Sequence, residues 1–143
     1  MRNTFQLIAI FTVLTLIVGC SGNVPLGGTV TFSDDGTPLT IGTVVLERDG
    51  RIARGILDEN GRFVIGFERE GDGLPPGQYR VAVVGATRAI MVEREPMPGV
   101  PPSSTLAGYE RFIDPRHEST ETSGIVVDVD RTTRTLDIVV DRF

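Results

Sequence analysis

From residue 28 onward the chain alternates apolar and polar positions in short runs, and clusters of turn-forming residues separate those runs. Side chains along a strand point to opposite faces in turn, so each alternating run predicts a half-buried strand. Residues 28–33 put Val30 and Phe32 on one face, and residues 43–48 ("TVVLER") form a second run. Residues 51–57 put Ile52 and Ile56 on one face with Arg54 between them. An inward arginine would need a partner, so that row predicts an edge or solvent-facing strand. Residues 62–68 align Phe63, Ile65 and Phe67, and residues 78–84 align Tyr79, Val81 and Val83. Ile125, Val127 and Val129 line a sixth strand, and Leu136, Ile138 and Val140 line a seventh. The turns "SDDGTPL", Asp49-Gly50, "DENG", "EGDGLPPG" and "DRTTR" fall between these runs. They supply residues that tolerate positive φ or preset a bend. Seven short strands so punctuated predict an all-β fold, a sandwich of about seven antiparallel strands over residues 28–143.

One stretch breaks the pattern. Residues 94–123 show no strong alternation and carry Pro96, Pro98, Pro101, Pro102 and Pro115. This predicts a Pro-rich loop whose first part, "EPMPGVPPSS", favours extended polyproline-like backbone. The following "TLAGYERFID" supplies Leu106, Tyr109, Phe112 and Ile113. Those side chains cap one open end of the sandwich, or present a contact surface, for which Tyr109, Phe112 and Ile113 are the candidates, or belong to a disordered segment. Residues 86–93 could add an eighth strand through Ile90 and Val92.

The first nineteen residues have a different texture. Between Phe5 and Val18 only Gln6, Thr12 and Thr15 interrupt an apolar run, and Arg2 precedes it. A helix of that length reaches about 21 Å, short of a ~30 Å hydrocarbon core. A positive start, a short apolar centre and small residues at the end predict a cleaved secretory signal-peptide helix over residues 1–19. Ile17-Val18-Gly19-Cys20 resembles the bacterial lipobox. That resemblance implies a diacylglycerol on Cys20, cleavage before it, and acylation of the new amine. Two or more acyl chains anchor a protein stably, at ~0.8 kcal/mol per buried methylene. Residues 20–27 would then be a short tether to a membrane of the bacterial cell envelope. The alternatives are a short membrane anchor or an ordinary signal peptide with an incidental cysteine.

Composition narrows the field. Cys20 is the only cysteine, so an intrachain disulfide and a cysteine-based zinc cluster are excluded. All 14 basic residues are Arg, against 19 acids, and the whole-chain charge is −5. Without lysine there is no Schiff base and no Ser–Lys dyad. No basic cluster stands out, which argues against a nucleic-acid partner and against attraction to anionic headgroups. A core without tryptophan must be built mainly from Val, Ile and Leu, and those residues favour strands. The missing tryptophan platform also disfavours glycan binding.

Three longer stretches, "GTVTFSDDGTPLTIGTVVL", "LDENGRFVIGF" and "LPPGQYRVAVV", resemble the carboxypeptidase regulatory-like, or transthyretin-like (prealbumin-like), domain of small bacterial lipoproteins. The matching elements are Gly28-Thr-Val30, Gly36-Thr-Pro-Leu39, the turn from Asp58 to Gly61 leading into Phe63, and Pro75-Pro-Gly-Gln-Tyr79-Arg-Val81. "DPRHESTETSGIVVDV" is similar to a later stretch of those proteins, with Tyr109 farther from Asp114-Pro115. The resemblance implies a β-sandwich that serves in folding or interaction and is not an enzyme.

Candidate chemistry is sparse. Asp58, Asn60 and Gly61 lack the later oxygen ligands of a calcium loop. Asp34, Asp35, Asp128 and Asp130 read as solvated turn and strand-face acids. His117 is the lone histidine, in "HESTE", without the second histidine of a zincin helix. A Ser–His–acid site would need it together with Ser103, Ser104, Ser119 or Ser123, and no elbow context supports one. An exposed loop histidine is the plain expectation. No catalytic, cofactor or metal residue is therefore assigned. The leading reading is a membrane-anchored, non-enzymatic module for protein interaction, with an envelope protein as partner. The alternatives are a hydrolase built on His117 or a purely structural subunit of an envelope complex.

Overall fold

The computed structural model describes residues 22–143. The expected signal peptide and the lipid-attachment residue Cys20 lie outside the described residues. Nine strands follow one another: β1 Gly27–Phe32, β2 Thr43–Arg48, β3 Arg51–Ile56, β4 Arg62–Val64, β5 Gly77–Val84, β6 Thr87–Glu93, β7 Ser104–Arg111, β8 Ile125–Val129 and β9 Thr135–Val140. A short 3-10 helix, Pro115–Glu118, lies between β7 and β8.

Seven of these strands make a sandwich. One sheet has the order β4-β1-β9 and the other β3-β2-β5-β8. Six of the strands keep close to the bounds the alternation predicts, while the predicted run 62–68 is strand only over Arg62–Val64, with Gly66 bridging Arg54 of the other sheet. Val30, Phe63, Ile65, Tyr79, Val81, Val83, Ile138 and Val140 are all buried between the sheets. Burying side chains of this size contributes about 1.5–3 kcal/mol each. Tyr79 keeps its ring in the core while its hydroxyl donates to the Pro75 carbonyl at 2.7 Å. β3 is an edge strand that turns Ala53 and Gly55 inward and leaves Ile52, Arg54 and Ile56 in solvent. The arginine row therefore lies outside, as its polarity requires.

Three features depart from expectation. The sandwich is not wholly antiparallel, because β1 and β9 pair in parallel over six residues, from Gly27 opposite Thr135 to Phe32 opposite Val140. Gly28 permits this close approach, since a Cβ there would overlap the Leu136 carbonyl oxygen. Residues 24–27, expected to be part of a tether, are instead built into the sandwich. Val24 and Leu26 belong to the core, and Val24 exchanges backbone hydrogen bonds with Leu74 at 2.6 and 3.0 Å. Two apolar residues next to an open core edge gain more by burial than by solvation. Finally, residues 94–123 are not one loop. They contain β7 and the 3-10 helix, and β7 pairs with β6 in a separate two-stranded ribbon.

The connections define two poles. At one, Val24 meets Leu74, the Gly27 N–H donates to the Arg134 carbonyl, and Gly77 lies opposite Val129. The loop at this pole is ordered by Asp72, whose carboxylate accepts N–H bonds from Phe67, Glu68 and Arg69 at 2.7–3.2 Å. At the other pole lie the ends of β1, β5 and β9 and the root of the β6–β7 ribbon. The chain thus enters the sandwich at the pole opposite the ribbon.

Candidate interaction surface

The ribbon is the part of the molecule that the sandwich does not explain. Its root is rigid. Ala86 and Ile113 are fully buried. The Phe112 N–H donates to the Ala86 carbonyl at 3.0 Å, and the Phe143 N–H donates to the Phe112 carbonyl at 3.1 Å. Ile113 bridges Arg142, and the Arg88 guanidinium stacks over the Phe112 ring at 5.1 Å.

Beyond the root both faces meet solvent. Ile90 is 46% exposed, Met91 54%, Val92 51%, Leu106 51% and Tyr109 67%. Cross-strand partners place Ala89, Tyr109, Met91 and Leu106 on one face, and Ile90 and Val92 on the other with Arg88 and Glu110. The register slips between Ile90 and Met91, so Ala107 stands unpaired on β7 as a bulge. At the tip the Arg94 N–H donates to the Ser103 carbonyl at 2.9 Å. A shallow cleft there is lined by Glu93, Glu95, Pro96, Pro102 and Ser103.

The three residues expected to form a contact surface are therefore split. Tyr109 is exposed on the ribbon, Phe112 is half-buried against the core, and Ile113 is wholly inside it. Ile113 is a capping residue and is withdrawn from the surface. The exposed aliphatic row of β6, which sequence reasoning did not single out as a site, takes its place. Its signal was present in Ile90 and Val92, with Met91 between them, but a strand exposed on both faces has no inward row to distinguish.

His117 also differs from expectation. It is 4% exposed, on the 3-10 helix, which Asp114 caps by accepting the Arg116 N–H at 2.9 Å. Its Nε2 accepts the Asp141 N–H at 3.1 Å and lies 3.2 Å from the Asp141 carboxylate, which Arg116 also pairs. An Nε2 that accepts a backbone N–H leaves the neutral ring's proton on Nδ1. Nδ1 is buried without a hydrogen-bond partner. Burial, and then the Arg116 charge, push the imidazole pKa down, against a smaller opposing pull from Asp114. Packing of the 3-10 helix against β5 explains the burial that the lone histidine in a polar stretch does not announce.

The serines considered for a triad are engaged elsewhere or remote. Ser123 donates to the Val81 carbonyl, Ser119 to Glu121, and Ser103 and Ser104 belong to the tip of the ribbon. Among the described residues no serine hydroxyl bonds His117, and no three His, Cys, Asp or Glu side chains converge as metal ligands. No helix among the described residues is long and apolar enough to cross a membrane.

No family model matches the chain, and no curated protein matches it. Among solved structures it is similar to the major pilin subunit of Bacillus cereus, with 17% sequence identity and a TM-score of 0.40. The similarity covers 84% of this chain and 30% of the pilin, so the chain spans less than a third of that protein. A likeness of this degree says nothing of function.

Proposed function

We propose that the protein is a non-enzymatic interaction module of the bacterial cell envelope. In this reading it belongs with the carboxypeptidase regulatory-like lipoproteins and is held to a membrane through acylated Cys20. It presents the β6–β7 ribbon to a protein partner. The observation that carries the reading is the ribbon itself, with five large apolar side chains about half or more in solvent on a strand pair that the core does not cover. An isolated two-stranded ribbon is marginal in water, and exposed edges and apolar faces are what protein partners bind.

The anchor and the ribbon suit each other. Only four residue steps separate Cys20 from Val24, where the chain is already docked. Fully extended, they reach about 14 Å. A lipid on Cys20 would hold the body close to the bilayer by one pole and direct the ribbon's root away from it. That no serine hydroxyl among the described residues bonds His117 favours this reading over a hydrolase.

Two measurements test it. Mass spectrometry of the mature N-terminal peptide is expected to find Cys20 acylated, and an unmodified, freely soluble product removes the anchor. A photo-crosslinker in place of Tyr109 is expected to capture protein in intact cells, whereas one at exposed Val139 on the sandwich is not. Equal capture at both positions removes the contact role of the ribbon.

A further inference from the structure

At the pole where the chain enters the sandwich, two arginines face each other. The turn between β2 and β3, Asp49-Gly50, has both residues at positive φ, 52° and 74°, and closes a two-residue hairpin. Arg48 and Arg51 flank that turn as directly opposed cross-strand partners. They share the face of Leu46 and Ala53, which are fully buried. The two guanidiniums therefore end the inward rows of their strands at the mouth of the sandwich. Like charges directly opposite each other are destabilising. Among the described residues the only carboxylate paired with either is that of Asp49, which accepts from Arg48 Nε at 3.2 Å and is 82% exposed. A pair so exposed offsets little.

The surroundings hold both side chains in place. The Arg51 guanidinium stacks on the Phe67 ring at 4.7 Å, and that of Arg48 lies 5.8 Å from the Tyr79 ring. Arg48 Nη1 donates to the Pro76 carbonyl at 2.7 Å. Gly77 makes room for it, since a Cβ there would overlap Nη1. Arg48 Nη2 and the Arg51 guanidinium carry N–H donors that no described residue accepts. With Asp49, Phe67, Pro75 and Tyr79 the two arginines line a cleft of about 130 Å³. That is well below the ~300–1,000 Å³ of a site for a whole small molecule, and it suits one compact group. Neighbouring acids are committed elsewhere. Glu47 pairs Arg80, Asp72 accepts three backbone N–H groups, and Glu68 and Glu70 line a different cleft with Arg54 and Arg69. Two guanidiniums against one carboxylate leave a single positive charge, and their planar N–H forks match phosphate oxygens.

We infer that the Arg48–Arg51 cleft binds the phosphodiester of a phospholipid headgroup. This rests on the reading of Cys20 as a membrane anchor. Pro75, in the cleft wall, adjoins Leu74, which bridges Val24, four residue steps from Cys20. The anchor holds headgroups beside the cleft at high local concentration. Recognition is of one phosphate group, so it requires neither an anionic lipid nor a basic face. The bound phosphate relieves the repulsion between the arginines and fixes how the body stands on the bilayer.

The test uses the mature protein as purified from cells, in vesicles of phosphatidylcholine or of digalactosyl diacylglycerol, a bilayer lipid without phosphate. Phenylglyoxal modification of each arginine is followed by mass spectrometry. Arg48 and Arg51 are expected to react about tenfold more slowly in phosphatidylcholine. Arg88, at the root of the ribbon, is expected to react alike in both. Equal Arg51 rates in the two vesicles overturn the inference. Equal slowing of Arg131 and Arg134, at the same pole, also overturns it, because that reports nearness to the lipid and no cleft. Arg51→Gln is expected to abolish the protection of Arg48, and persistence of that protection overturns the paired site. Inorganic phosphate added to the galactolipid vesicles separates the two sources of phosphate. Protection there, with none in phosphatidylcholine, assigns the cleft to free phosphate and overturns the headgroup. Flotation keeps the two readings apart. A chain that floats with neither vesicle removes the anchor and the headgroup site together, whereas one that floats with equal Arg51 rates loses the headgroup site alone.

Discussion

The sandwich and the ribbon are built from the same kinds of residue and differ in what covers them. Val81 and Val83 on β5 are sealed between two sheets, while Ile90 and Val92, a few residues later in the same chain, lie about half in solvent. β5 has a paired strand on each side, β2 and β8, whereas among the described residues β6 pairs with β7 alone. The two segments therefore differ in pairing as well as in apolar burial. The body is a folding unit, and the ribbon is a surface that the body holds out.

The largest expected difference lies in side-chain truncation. Ile65→Ala or Leu46→Ala, at fully buried positions, should cost about 2–5 kcal/mol in denaturant unfolding. Leu106→Ala or Tyr109→Ala on the ribbon should stay within about 0.5 kcal/mol. Similar losses at both would mean that the ribbon is part of the core.

Next is Gly28→Ala, which forces a methyl group against the Leu136 carbonyl and the Phe63 ring. It should cost about 1–3 kcal/mol, read as a lower unfolding midpoint with an unchanged slope. Gly108→Ala on the ribbon has open space around the new Cβ and should change the midpoint little.

Hydrogen exchange should grade the two regions further. Amides of β2 and β5 should open only with global unfolding, while those of β6 and β7 exchange through local opening. Uniform protection across both regions would remove the distinction.

The smallest effect is the pH response of the body. Folding holds the His117 imidazole neutral, with its pKa pushed below the usual value near 6.5. The unfolded chain therefore takes up that proton first as pH falls. Stability from this group is present above about 6.5 and declines as pH drops toward the folded value. His117→Asn should flatten that decline. A second decline belongs to carboxylates held down by turn hydrogen bonds, including Asp130, lowered to about 2 by Thr132 and Thr133, and it begins only below the usual value of 3.8. Separate slopes in the two windows, followed by unfolding monitored from pH 8 to 3, would check both.

The same contrast explains what the sequence revealed. Most of the sandwich strands were legible because one wet and one dry face write a period of two into the residues, whereas β2 and β5, buried on both faces at Val44–Leu46 and Val81–Val83, read as short apolar runs between turns. β7 was not, since Leu106, Ala107, Gly108 and Tyr109 answer to no buried row and a bulge breaks their phase. The burial of Val24 and Leu26 was hidden because two apolar residues among glycines and a proline are too short a run to carry a period. His117 was misjudged for a related reason. Its burial comes from a short 3-10 helix packing on β5, a tertiary event without a local pattern. Of the three candidate surface residues only Tyr109 is fully exposed, because Phe112 and Ile113 lie where the ribbon turns back into the core.

The parallel union of β1 and β9 has a consequence for biogenesis. The strand that begins the sandwich is flanked on one side by the strand that ends it, 108 positions later. Until β9 is synthesised, one edge of β1 lacks its neighbour and Val30 lacks the cover of Ile138. Non-local closure of this kind slows folding and discourages early collapse. A nascent chain of this design would stay threadable, as the export proposed above requires.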